Sequence, residues 1–352
     1  MGKVAFVFPG QGAQYVGMCK DFADAYEVVD VYFKTAELFL PGITKMLFCG
    51  PKEALDQTIN TQPAMLIADV LCAELLSCNG IEPDGVAGFS LGEMAALFFS
   101  GSLTLENACA ITKLRANLMG VCASEQAGAM YAALRLPPSI VDEICQSIPQ
   151  CWPANYNCPG QIVISCAEVS ADELKRAITE HGGRAIKLSV QGAFHSPMMQ
   201  GAIGDYAAAL GLIKFDEPDY PVYSNVTAKP HNIKNITETL VKHMIGPVLW
   251  QNTIENMIAD GFDTFIECGP GKVLAGLIKK IDPMVNVYNV YDMESLTETL
   301  AAFDLPCDDT PFIERLYHGE FDEEFYALPG SSCDGLHVEN DGDHRYGGEA
   351  RV

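Results

Sequence analysis

Val4-Ala5-Phe6-Val7-Phe8 is an unbroken run rich in β-branched and aromatic residues, closed by Pro9-Gly10. That is the pattern of a short strand buried on both faces of a parallel sheet. A second run, Gly85-Val86-Ala87, stops at Gly88, and between the two the apolar positions recur at helical spacing, most plainly over Pro63 to Ser77. Strand, helix and strand in alternation predict an α/β layer architecture. From Gly128 the period changes element by element. Residues 128–134 read as a strand, Ser139 to Ile148 as a helix, Trp152 to Asn157 and Gln161 to Cys166 as strands, Ala171 to His181 as a helix and Arg184 to Val190 as a strand. This β-α-β-β-α-β order is that of a ferredoxin-like unit, and roughly 65 residues suit it as an insertion. Pro221 to Val226 and Thr264 to Cys268 then read as strands returning to the first sheet. The expected layout is a large subdomain over 1–125 and 192–303 with a small subdomain over 126–191 inserted in it.

Beyond about Asp304 the periodicity fades, and residues 304–352 carry 13 Asp and Glu against 3 Lys and Arg. This stretch reads as a solvated acidic tail, disordered in part, with no chemistry assigned to it. It supplies ten of the 24 net negative charges of the 352-residue chain. So negative a surface repels polyphosphates and anionic membranes, which argues against nucleic-acid or membrane partners. With 49% hydrophobic residues, the body of the chain has ample material for a core. The 13 cysteines form no C-x-x-C pair and no His/Cys cluster of zinc-site spacing, so structural zinc is not expected. The opening apolar run is too short for a signal-peptide core or a membrane span. The cysteines therefore read as reduced thiols, most of them small core residues, in a cytoplasmic setting.

Gly88-Phe89-Ser90-Leu91-Gly92 is a G-x-S-x-G sequence set between a predicted strand and a helical stretch, Glu93 to Phe99. A serine on such a turn stands exposed at the sheet edge, next to the positive end of the following helix. An ordinary βα turn is the competing reading of the motif. A nucleophilic serine needs a base. Of the seven histidines, His181 ends a helix before Gly182-Gly183, and His318, His337 and His344 lie in the acidic tail. His231 and His243 sit in loop-like or helix-end surroundings, whereas His195, in Gly192-Ala193-Phe194-His195-Ser196-Pro197, follows a strand and precedes a helix. His195 is thus the candidate base, a buried core histidine being the alternative. Arg115 and Met119 share one face of the helical run Leu105 to Gly120. If the Arg115 fork points at Ser90 it offers a bidentate partner for a carboxylate; if not, it snorkels to solvent. Phe8-Pro9-Gly10-Gln11-Gly12-Ala13-Gln14 is a Gly-rich turn after the first strand that lacks the residues of a phosphate loop, so its amides read best as oxyanion donors.

Taken together, FPGQGAQ from Phe8, TQPAML from Thr61, GFSLGE from Gly88, KLRANLM from Lys113, NYNCPGQIVIS from Asn155, GAFHSP from Gly192, YSNVTA from Tyr223 and ECGPGKVL from Glu267 closely resemble the malonyl-CoA:acyl carrier protein transacylase family. The resemblance spans about Met1 to Ile281. It implies an α/β-hydrolase-like large subdomain with an inserted ferredoxin-like small one, in agreement with the pattern above. It further implies Ser90 as nucleophile, His195 as base, the backbone amides of Gln11 and Leu91 as oxyanion hole, and Arg115 as the clamp for the malonyl carboxylate, with Met119 beside it. The implied partners are malonyl-CoA and an acyl carrier protein, and no metal or redox cofactor is called for. In this family a backbone carbonyl holds the second imidazole nitrogen of the base, and the matching stretch Pro247 to Trp250 assigns that role to Leu249. Phe194 resembles the aromatic residue of malonyl-selective members and closes space beside the acyl α-carbon. Many members carry His where Phe89 stands, and the acidic tail has no counterpart in the family core. Two rival readings remain: a serine hydrolase or proofreading thioesterase on the same core, and a non-catalytic scaffold. Arg115 speaks against the first, since a site for neutral acyl groups gains nothing from a buried cation. The charge of −24 suits an acidic carrier poorly, so Arg184, Lys187, Lys272, Lys279 and Lys280 are the candidates for a local basic docking face.

Overall fold

The computed structural model describes residues 2–26 and 29–306, so the tail from residue 307 onward lies outside the described residues. The predicted first strand is β1 (Lys3–Phe8), and Ala5 to Phe8 are fully buried, as an unbroken apolar run requires. It lies at the centre of a five-stranded sheet with β2 (Gly85–Gly88), β7 (Val222–Tyr223), β8 (Phe262–Cys268) and β9 (Asn286–Val290), in the order β7-β2-β1-β8-β9. Every pairing in it is parallel. The helix Thr58–Cys78 packs against the helix Leu105–Glu125 and against β8. It is long and apolar enough to cross a membrane, yet 94% of its most apolar window is buried inside the protein, which marks it as a core helix. It begins five residues before the Pro63 expected from the pattern, because Thr58 and Thr61 are polar yet buried. Thr61 returns its hydroxyl to the Leu55 and Gln57 carbonyls, so the chain needs no solvent there.

The second sheet is antiparallel and contains β3 (Gly128–Leu134), β4 (Cys151–Cys158), β5 (Gln161–Ala167) and β6 (Arg184–Lys187), in the order β4-β5-β3-β6. The helices Pro138–Ser147 and Ala171–Glu180 complete the ferredoxin-like βαββαβ unit. Alternation along β3 assigns its two faces: Ala129, Tyr131 and Ala133 join the helices in one apolar cluster, while Met130 and Ala132 face the larger core. The two units are joined by main-chain bonds between β4 and the segment at Val248, namely Tyr156 N–H to the Val248 carbonyl and Val248 N–H to the Ala154 carbonyl. The fold is thus α/β, with a parallel sheet and a separate antiparallel one.

Two predicted strands are shorter than their apolar patterns, and both shortfalls serve the site. The strand expected over Arg184 to Val190 ends at Lys187, with one further bond from the Leu188 N–H to the Met130 carbonyl at 2.9 Å, and Leu188 and Val190 line the cleft between the sheets. The strand expected over Pro221 to Val226 pairs only at Val222 and Tyr223. At Ser224 the chain turns, closed by the Ala228 N–H on the Ser224 carbonyl, and this delivers Asn225 to the end of β2.

Candidate active site

Ser90 sits where β2 turns into the helix Gly92–Phe99, with a φ of 54°, in the left-handed region that L-residues seldom occupy. The turn is tight enough to demand its glycines. A Cβ on Gly88 would lie 1.9 Å from the Gly92 carbonyl carbon, and one on Gly92 would lie 2.1 Å from the Phe8 carbonyl oxygen. The Ser90 N–H donates to Asn225 Oδ1 at 2.8 Å, and the Asn225 amide donates to the Gly88 carbonyl at 2.5 Å. The strained turn is held on both sides by one side chain.

His195 also has a positive φ, 56°, and its Nε2 lies 2.7 Å from Ser90 Oγ. The segment before it is pinned by Ser165 of β5, whose hydroxyl donates to the Phe194 carbonyl at 2.5 Å. The other ring nitrogen, Nδ1, lies 3.0 Å from the main-chain oxygen of His243. A carbonyl accepts only, so Nδ1 carries the hydrogen and Nε2 is free to take the proton of Ser90. The carbonyl role expected of Leu249 therefore belongs to His243. Leu249 opens the helix Trp250–Ala259, and its oxygen is occupied by the Thr253 N–H and hydroxyl, both at 2.9 Å. Burial drives the His195 pKa well below the usual histidine value, with His243 and Arg115 adding to the depression. The imidazole is neutral at pH 7, as a base must be.

Arg115 is 2% exposed and reaches the same point from the helix Leu105–Glu125. Its Nη1 donates to Gln62 Oε1 at 2.7 Å and its Nη2 to Ser90 Oγ at 3.1 Å. Both partners are neutral, and among the described residues no carboxylate pairs with this buried cation. Burial lowers its pKa, although no guanidinium gives up its charge near neutrality. Gln62 also donates to Met119 Sδ at 3.4 Å, which ties Met119 and Arg115 into one wall. The amides of Gln11 and Leu91 border the same cleft, and neither donates to a protein acceptor among the described residues. Phe194, 5% exposed, and Phe89 close other sides, with Phe89 edge-on to the buried Trp250 at 5.5 Å between centroids. The cleft encloses about 260 Å³ between the two sheets, and Met130, Asn155, Asn157 and Val163 form its small-subdomain wall.

Ser90, His195, Arg115, Met119, Phe194 and the two amides thus converge on one cleft. Sequence reasoning missed Gln62, Asn225, Glu93, His231 and His243. Glu93 is 1% exposed. Its Oε1 accepts from the Asn225 N–H and His231 Nε2, each at 2.9 Å, and its Oε2 lies 2.7 Å from His243 Nδ1, off the line of a well-aligned hydrogen bond. Burial alone would raise the Glu93 pKa, but the two histidines outweigh it and hold the carboxyl well below the usual range. The missed signals were polar residues in apolar stripes. Gln62 and Glu93 interrupt buried helices, and His243 falls in the buried series Ile236, Thr239, Leu240, His243 and Met244.

A serine on a strand-to-helix turn, a neutral histidine in contact with it and two free amides can attack, stabilise and release an acyl group. Residues 5–294 match the family model described as "Acyl transferase domain", which puts the chain in that class. It is 36% identical over 303 residues to the malonyl CoA-acyl carrier protein transacylase of Bacillus subtilis, covering 84% of this chain and 96% of that protein. The crystal structure of the transacylase of the same name from Clostridium perfringens superposes with a TM-score of 0.83 at 38% identity, covering 90% of this chain and 100% of that one. A malonyl-transacylase in complex with a type II PKS acyl-carrier protein superposes with a TM-score of 0.82 at 34% identity, covering 85% of this chain and 99% of that one. The chain belongs to the malonyl CoA-acyl carrier protein transacylase family.

Proposed function

We propose that the protein transfers a malonyl group from malonyl-CoA to the phosphopantetheine thiol of an acyl carrier protein through an ester on Ser90. Ser90 Oγ attacks the thioester carbonyl as His195 Nε2 takes its proton, and the Gln11 and Leu91 amides receive the oxyanion. Collapse breaks the C–S bond, and His195 returns the proton to the departing CoA sulfur. The carrier thiol then enters by the same steps in reverse, with His195 accepting its proton and giving it back to Ser90 Oγ. The observation that carries this reading is Arg115: a buried guanidinium 3.1 Å from the nucleophile, hydrogen-bonded among the described residues to neutral groups only, suits a carboxylate on the substrate. A hydrolase of neutral acyl groups has no use for it. The relatives' names and the carrier complex of one structural neighbour support the same donor and acceptor. A cytoplasmic setting completes the reading, supported by 11 free cysteines among the described residues, ten of them buried.

For the carrier, the basic residues beside the cleft are the proposed docking face. Lys280 bonds Gln161, a residue of the cleft wall, at 3.3 Å, and Lys272 immediately precedes the helix Val273–Ile281, whose Val273 and Leu277 border the cleft. The test is to isolate the malonylated protein and add carrier protein with and without its phosphopantetheine arm. Transfer to the armed carrier alone is expected, and reversing Lys272 and Lys280 should raise its KM. Release of free malonate in preference to transfer would reject the acceptor.

A further inference from the structure

The nucleophile and its base are joined a second time, behind the cleft. Starting from Ser90 Oγ, the path runs to His195 at 2.7 Å, from His195 Nδ1 to the His243 carbonyl at 3.0 Å, and from His243 Nδ1 to Glu93 Oε2 at 2.7 Å. From Glu93 Oε1 it continues to the Asn225 N–H at 2.9 Å, and from Asn225 Oδ1 back to the Ser90 N–H at 2.8 Å. Five residues form a closed ring, and a sixth, His231, braces the carboxylate from outside at 2.9 Å. The ring members other than Ser90 are buried, at 4% exposure or less, and the side chain of His231 is 3% exposed. The two ring members that would do the chemistry are also the two whose backbones are held at positive φ. Neither conformation is favoured for an L-residue, so each must be imposed by its surroundings. Glu93 contacts the supports of both: the N–H of Asn225, which fixes the turn that carries Ser90, and the side chain of His243, whose main-chain oxygen holds the ring of His195.

We propose that Glu93 is the positioning residue of the Ser90–His195 pair, a buried carboxylate that acts on the base one residue removed, through the His243 peptide. The two stacked imidazoles, His195 and His243, lie 5.0 Å apart at 24°, so a displacement of His243 is passed to His195 by ring contact as well as by the carbonyl. The Glu93 side chain does not line the cleft, and its backbone N–H bond to the Ser90 carbonyl at 3.3 Å survives a side-chain change, so its loss leaves substrate binding in place and misaligns the attack. This rests on the malonyl-transfer reading of the site.

The experiment measures kcat and KM for malonyl-CoA, the rate of malonyl ester formation on Ser90, and the melting temperature, in the full chain and in Glu93→Gln. Expected is a ten- to hundredfold fall in kcat and in the rate of ester formation, with KM within twofold of the parent and folding retained. His243→Gln keeps the main-chain carbonyl and removes only the side-chain link, so a five- to twentyfold fall at unchanged KM is expected there, and it decides the matter if Glu93→Gln does not fold. Combined, the two changes should lower kcat by less than the product of their separate effects, because they open the same ring. Parent-like kcat in a folded Glu93→Gln or His243→Gln, or KM rising in step with lost stability, overturns the proposal while a malonylating parent leaves the transfer reading intact. A parent that forms no ester overturns both.

Discussion

Replacing Arg115 with Ala removes a cation that the site holds at high cost, and the consequence divides substrates by charge. The guanidinium has five N–H groups, of which two bond protein acceptors, Gln62 Oε1 at 2.7 Å and Ser90 Oγ at 3.1 Å. A malonyl carboxylate in the cleft takes two charge-assisted hydrogen bonds, worth about 1.5–3 kcal/mol each, or about 3–6 kcal/mol together. At about 1.4 kcal/mol per factor of ten, kcat/KM for malonyl-CoA should fall by about 10² to 10⁴. Acetyl-CoA has no carboxylate. It loses only the guanidinium hydrogen bond to Ser90 Oγ, at about 1.5–3 kcal/mol, so its rate should fall by about 10- to 100-fold, a loss that malonyl-CoA suffers in addition to its own. CoA release from the two thioesters, normalised to folded protein by a melting curve, reads both numbers. Equal losses for malonyl and acetyl would refute the carboxylate clamp, whatever their size.

Three further outcomes follow from the same geometry. Phe194→Ser opens the wall beside the acyl group, so competition assays should show a relaxed preference for malonyl over α-branched thioesters; an unchanged ratio would remove Phe194 from selectivity. Gly92→Ala drives a Cβ to 2.1 Å from the Phe8 carbonyl oxygen, and denaturant unfolding should show a loss of more than about 3 kcal/mol or no folded protein at all. His195 is held neutral by burial, so kcat/KM should stay level as pH falls from 8 to about 6.5 and decline only below that. Stability follows the same sign: below about 6.5 the unfolded chain binds a proton that folded His195 refuses, and Glu93, depressed in the fold, adds a further loss in the acid range. An acid limb of kcat/KM above 6.5 would contradict the buried, neutral base.

The chain announced what local rules control. Hydrophobic period located both sheets, and the βαββαβ order identified the inserted unit, because period and turn chemistry reflect the backbone's immediate neighbours. That Ser90, His195 and Arg115 meet in one cleft was foreseeable, because each stands in a short motif. The contacts at the turn supply the physical cause of the glycines at 88 and 92. Other contacts between distant segments were not foreseeable. The carbonyl at His195 Nδ1 comes from His243, 48 residues along the chain, and a main-chain oxygen leaves no side-chain trace of its partner. Glu93 and His231 meet across 138 residues, so neither signals the other. The shortened β6 and β7 misled for a related reason: their apolar residues do face the interior, but at the cleft and its supporting turn, and burial alone does not distinguish a ladder from a lining.

Uptake of the malonyl group by Ser90 is read by incubating the purified protein with malonyl-CoA, without carrier protein, and measuring intact mass for the parent and for Ser90→Ala. Expected is a single malonyl adduct on the parent, matched by release of CoA, and none on the variant. No adduct and no CoA release from the parent, or an adduct that survives in Ser90→Ala, would contradict it. CoA release with no adduct would bring the hydrolase reading forward in its place.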